Sequence, residues 1–173
     1  MVKDQGPRSK DGKRLPIRNK PPSLSARVAA LKMLARRELS EAQVRQRLAR
    51  RGYDEPEIEA AIERLKADRS LDDARVAGAI ARTEVSIRRR GKRRVVQQIQ
   101  QAGISRAAAR RAADETFENL NEETLLALAL SRRLKGDRTI ADDREFQRLY
   151  RYLIRQGFDA DDVFKALSAR RTR

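Results

Sequence analysis

Cysteine, histidine and tryptophan are absent from the 173 residues, and aromatics of any kind make up only 4%. With no cysteine there is neither a disulfide framework nor a thiolate site, which fits a reducing compartment. With histidine gone too, the commonest general base and the imidazole metal ligand are missing, so an enzyme is poorly supported. No G-x-x-x-x-G-K-S/T or G-x-G-x-x-G loop occurs to cradle a nucleotide phosphate. No stretch approaches the ~18 apolar residues of a membrane span, and the basic N-terminus lacks the apolar core of a secretory signal. These absences predict a soluble, cytoplasmic, non-enzymatic protein with no cofactor, no small-molecule substrate and no membrane attachment.

What is abundant is positive charge. Lysine and arginine number 41 against 25 acidic residues, a net +16, and such an excess points to polyanionic partners, nucleic acid first among them, rather than to a fold. Residues 1–23 hold 7 basic and 2 acidic side chains, and residues 82–111 hold 10 and 1. The stretches 24–81 (12 against 10) and 112–173 (12 against 12) are nearly balanced. The folded part's excess therefore lies in one central block, around the run RRRGKRR at residues 88–94.

Residues 1–23 also carry four of the five prolines and two glycines without any apolar period, and a disordered basic arm is expected there. From Leu24 onward the composition is that of helices. Three stretches resemble one another: VRQRLARRGYDEPEIEAAI from Val44, VVQQIQQAGISRAAARRAA from Val95 and LYRYLIRQGFDADDVFKAL from Leu149. Each has an i, i+4 apolar pair (Val44 and Leu48, Val95 and Ile99, Leu149 and Leu153) and then a glycine, Gly52, Gly103 or Gly157. An apolar residue and a capping residue follow, Asp54, Ser105 or Asp159. The pattern predicts a helix closed by a left-handed glycine and a second, capped helix. Ser40-Glu-Ala-Gln43 reads as a capping box.

Adding the helix upstream of each pair makes three three-helix repeats, 24–69, 70–119 and 120–173, in an all-α, elongated array open to curvature. The upstream helices are expected to face inward through Val28, Leu31, Leu34 and Ala35; through Val76, Ala79, Ile80 and Thr83; and through Leu125, Leu128 and Ala129. The pairs Asp72-Asp73 and Asp142-Asp143 precede helical patterns and read as caps rather than metal ligands.

The helix-turn-helix alternative, groove readout by each second helix, fails on charge at EPEIEAAIERL and ADDVFKAL, and only RAAARRAA is basic. It survives as a transcription regulator reading DNA through residues 92–113. In RRRGKRR, Arg88, Arg89 and Arg90 suit the end of one helix, and Gly91 is expected to let the chain turn. Lys92, Arg93 and Arg94 then open the next helix, where cations oppose the dipole, so another partner must favour them. The candidate polyanion contacts are Arg82, Arg88, Arg89, Arg90, Lys92, Arg93, Arg94, Gln97, Gln98, Arg106, Arg110 and Arg111. Arginine and glutamine there suit phosphate contact without base-specific readout. With Tyr53 and Phe117 the nearest aromatics, no stacking platform for bases is present.

The stretch LDDARVAGAIARTEVSIRRRGKRRVVQQIQQAGISRAAARRA, residues 71–112, resembles the RecX family of bacterial recombination regulators. Leu71, Asp72, Asp73, Gly91, Val95, Ile99, Gly103 and Ile104 carry the match. SEAQVRQRLARRGYDEPEIEAAIERL (40–65) and FQRLYRYLIRQGFDADDV (146–163) are similar to the family's first and closing repeats. Val76 departs from the family, which usually has an aromatic shortly after the Asp-Asp pair, and a smaller core contact is expected there. While the lack of a long heptad seam or an exposed apolar stripe in the sequence separately predicts a monomer, the resemblance covers about 24–170 and implies a non-enzymatic modulator of the RecA recombinase. Such a protein lies in the groove of the RecA–DNA filament, touches single- or double-stranded DNA, and restrains RecA's ATPase, strand-exchange and coprotease activities in DNA repair and the SOS response. The alternative is a sequence-nonspecific DNA- or RNA-binding helical protein that does not act on RecA.

Overall fold

A small oxygen-bearing side chain opens most of the helices by accepting an otherwise orphaned backbone amide. In the computed structural model, which describes residues 24–134, 136 and 138–171, these caps delimit nine α-helices; the arm expected over 1–23 lies outside the described residues. α1 (Ala26–Leu34), α2 (Glu41–Arg50) and α3 (Glu55–Ala67) pack on one another. So do α4 (Asp73–Ser86), α5 (Lys92–Gln101) and α6 (Arg106–Phe117), and then α7 (Glu122–Leu134), α8 (Asp143–Arg155) and α9 (Ala160–Ser168). The bridge between Ile140 and Arg171 is the one β pairing among the described residues.

The local chemistry follows the sequence closely. Ser40 and Gln43 form a reciprocal capping box, and Asp54, Ser105 and Asp159 cap α3, α6 and α9. Gly52, Gly103 and Gly157 close the preceding helices with φ of 87°, 84° and 91°, the left-handed conformation that costs glycine nothing. Asp72 accepts the amides of Ala74 and Arg75 at 2.9 and 3.0 Å, and the Arg75 amide above all holds its carboxyl below the ordinary range. Asp142 caps α8 through the Glu145 amide at 2.7 Å.

The inward faces of the three upstream helices differ from the expected ones. α1 buries Ala26, Ala29, Ala30 and Met33, while Val28 is 39% exposed and Leu31 and Leu34 are half-buried. Both sets fit a 3.6-residue period; the alanine stripe wins because small side chains let α1 approach α3 closely. α4 buries Val76, Ala77, Ala81, Glu84 and Val85, with Thr83 outside, its hydroxyl donating to the Ala79 carbonyl at 2.9 Å. In α7, Leu126, Leu130 and Leu134 join Leu125 and Ala129, and Leu128 is 48% exposed.

The first unit has its own apolar core, from Ala26 to Leu71, whereas the second and third share one that runs from Val76 to Leu167. One device joins the units: the closing glycine of one middle helix sits on the start of the middle helix before it. At the first junction the Ser40 hydroxyl donates to the Ala102 carbonyl, and a Cβ on Gly103 would overlap that of Ala42. The Glu41 amide donates to Asp73 at 2.8 Å. At the second junction the Gly91 and Arg93 amides donate to the carbonyls of Gln156 (3.0 Å) and Gly157 (3.3 Å). The C-terminus of α8 thus meets the N-terminus of α5, and that of α5 meets α2, so the helix dipoles align head to tail.

Gly91 has another role than the one expected. Its φ is an ordinary −71°, and the left-handed residue in this loop is Arg89, with φ 52°. Position 91 needs glycine for space, because a Cβ there would overlap the Gly157 carbonyl.

Candidate nucleic-acid interface

The six cations of residues 88–94 do not form a uniform surface. After α4 ends, the Arg89 and Arg90 amides donate back to the Val85 and Glu84 carbonyls, both at 3.0 Å, and fold the loop over the helix end. That fold brings Arg90 onto Glu84 at 2.5 Å and Arg88 onto its other oxygen at 3.1 Å. Glu84 is buried and the Arg90 side chain is only 18% exposed, so these two arginines neutralise a carboxylate under the loop. Lys92 pairs with Asp114 at 3.0 Å and lies 6.0 Å above the Phe117 ring. Ile87, 66% exposed, projects from the same loop.

Arg89, Arg93 and Arg94 remain without a carboxylate partner among the described residues; Arg94 instead donates to Gln97 at 2.6 Å. The cations opening α5 sit beside a helix N-terminus whose amides already meet the α8 carbonyls. The dipole cost expected from the sequence is therefore offset inside the molecule, while the guanidinium groups stay available. Gln98 is tied to Gln101 at 2.6 Å on the same helix.

Of the other candidate residues, Arg82 is exposed on α4, and Arg106, Arg110 and Arg111 are exposed on α6. Arg110 and Arg111 share a groove with Lys92, Asp114, Glu115 and Glu118, so carboxylates temper that side. Arg93, Arg94 and Gln97 instead line an open cleft with Ile154, Arg155 and Gln156 of the third unit, where no carboxylate intrudes.

Two cations of the third unit reach the block that sequence reasoning had confined to the second. Arg155 lines the cleft beside α5, and Arg132 donates to the Ile87 carbonyl at 3.4 Å. A charge count along the chain hides them, because residues 112–173 are neutral in sum. A similar concealment affects the first unit, where Arg45 takes Glu41, Glu55 and Glu59 and Lys66 also takes Glu41, while Glu38 is taken across the junction by Arg75 of α4. Burial, then the nearby Arg37 and Arg50, push the Arg47 guanidinium below its ordinary value, which marks a cationic cluster at the end of α2.

Residues 26–65 match the family model described as RecX, first three-helix domain, and residues 121–167 match RecX, third three-helix domain. The regulatory protein RecX of Syntrophotalea carbinolica is 33% identical over 151 residues, 87% of this chain and 99% of that protein. The chain belongs to the RecX family. The regulatory protein RecX of Halorhodospira halophila is 36% identical over 148 residues, covering 85% of this chain and 89% of the other. The crystal structure of RecX from Lactobacillus salivarius shares the fold, with a TM-score of 0.67 over 83% of this chain and 93% of that one at 20% identity. The two matched RecX domains are the outer units, α1–α3 and α7–α9. Among the described residues no helix is long and apolar enough to cross a membrane.

Glu84 was not singled out in the sequence, although it is the sole acid of residues 82–111 and stands four residues before Arg88. In this RecX-family chain, Glu84→Gln leaves Arg90 under the loop without its counter-charge. Removing one partner of a buried pair costs roughly 3–5 kcal/mol, and the partial exposure of both arginines reduces the expected loss to about 2 kcal/mol. A urea titration followed by circular dichroism measures it.

Proposed function

We propose that the protein is a non-enzymatic regulator of RecA that binds in the groove of the RecA–DNA filament and restrains ATP hydrolysis, strand exchange and coprotease activity. In this reading it acts as a cytoplasmic monomer in DNA repair and the SOS response and contacts both RecA protomers and DNA. The observation that carries the reading is the pair Arg93 and Arg94 at the start of α5, without a carboxylate partner among the described residues, in a chain of the RecX family. Guanidinium groups with no internal carboxylate, presented at a dipole-neutralised helix start, suit a phosphate backbone and give binding without base readout. An end-to-end array of three-helix units also suits a long groove better than a single globular face does.

Full-length protein added to RecA filaments on single-stranded DNA should slow ATP hydrolysis, with the effect complete near stoichiometry with RecA. An unchanged rate at that ratio overturns the proposal. The same unpaired arginines would serve a nucleic-acid-binding protein indifferent to RecA; binding to naked DNA or RNA together with an unchanged ATPase rate selects that second reading.

A further inference from the structure

The cleft where α5 meets α8 gathers three arginines from two units: Arg93 and Arg94 from the second, and Arg155 from the third. None of the three meets a carboxylate among the described residues. At the end of α8 a cation ordinarily complements the helix dipole. Here that task is already performed, because the Gln156 and Gly157 carbonyls accept the Gly91 and Arg93 amides. Arg155 is therefore surplus to its own helix, and it lies beside two further cations that repel it. The backbone beneath them is held close: two amide–carbonyl hydrogen bonds cross the junction, and glycine at 91 and at 157 allows a contact that any Cβ would break. Three like charges held on a fixed frame, beside the carboxamides of Gln97 and Gln156, form an arrangement that an anion completes.

We propose that this cleft is a phosphodiester seat shared by the second and third units, with Arg155 as the contact supplied by the third. The proposal rests on the nucleic-acid reading above and deepens it, since it moves part of the DNA surface off the central block and onto α8. A phosphodiester suits the cleft better than a protein carboxylate does. The neighbouring phosphates of a polynucleotide supply further charges to a cleft that holds three guanidinium groups, whereas a carboxylate brings only one. Because the seat straddles the junction, a bound strand also braces one unit against the other.

The test uses the full chain, a fluorescent oligothymidylate and a series of salt concentrations. Each phosphate contact on a single strand contributes about 0.7 to the slope of log affinity against log salt. Arg155→Gln and Arg93→Gln should each flatten the slope by about that amount, and Arg155→Lys should keep most of it. Arg64→Gln, on the exposed end of α3, should leave it unchanged. Circular dichroism should show equal helicity in every variant, since Arg155 is exposed. An unaltered slope in Arg155→Gln beside a flattened one in Arg93→Gln overturns the shared seat and leaves the nucleic-acid reading standing. Failure of the unmodified protein to bind the oligonucleotide overturns both. Inorganic tripolyphosphate, used as a competitor, separates the sources of phosphate. A weakened response of Arg155→Gln to tripolyphosphate with undiminished oligonucleotide binding overturns the proposal in favour of a small polyphosphate ligand.

Discussion

Gly157→Ala is expected to unseat the third unit from the second and to lower stability by about 3 kcal/mol. Two effects add at this position. With φ at 91°, any residue with a Cβ is strained by roughly 1–2 kcal/mol. The new methyl would also overlap the backbone nitrogen and Cα of Arg94, and backbone cannot rotate out of the way as a flexible side chain can. Forcing extra volume into such a contact costs roughly 1–3 kcal/mol. The loss would not stay local, because the second and third units share a core that includes Val95, Ile99, Leu149 and Leu153. Gly52→Ala provides the comparison: its φ is 87°, its turn is exposed, and only the strain of about 1 kcal/mol is expected. Urea titrations of the two variants measure the difference. Equal losses would show that the junction yields to a methyl group and that the head-to-tail contact is loose.

What the sequence disclosed and what it concealed divide along a physical line. α2 is legible because its apolar pair, Val44 and Leu48, is flanked by charge and amide, and α5 and α8 are legible because the same i, i+4 pair recurs ahead of the same glycine. The glycine turns were legible because a left-handed residue, an apolar residue and a cap recur at fixed offsets. α1 was not: in ARVAALKML the phase with the larger apolar side chains, Val28, Leu31 and Leu34, is not the buried one, and the choice depends on packing against α3. The local pattern points to a turn at Gly91, but its role is set by Gly157, distant in the chain, and local patterning carries no trace of such a contact. The candidate site was half legible for the same reason. Its cations were visible as a run, while the carboxylate that absorbs Arg88 and Arg90, and the arginine that joins from α8, depend on the folded arrangement.

That division of the run predicts two different outcomes from superficially similar substitutions. Replacing Arg89, Arg93 and Arg94 together with glutamine removes cations that no internal carboxylate holds. Three phosphate contacts on a single strand account for about 2 units of salt slope, so affinity near 0.1 M salt should fall roughly a hundredfold while stability is retained. Replacing Arg88 and Arg90 instead strips the buried Glu84 of both counter-charges. Its desolvated carboxylate then has no partner, so the main loss should be in folding, by about 2–3 kcal/mol, with the salt slope of the remaining folded protein little changed. Anisotropy across a salt series and urea denaturation, run on both variants, separate the two effects. If the Arg88 and Arg90 pair flattened the slope as strongly as the other three, the whole run would act as one electrostatic surface and the partition made by Glu84 would be without consequence for binding. If instead the triple variant lost stability and kept its slope, the guanidinium groups opening α5 would serve the junction with α8 rather than a nucleic acid. The two readouts therefore assign each arginine of the run to the fold or to the ligand.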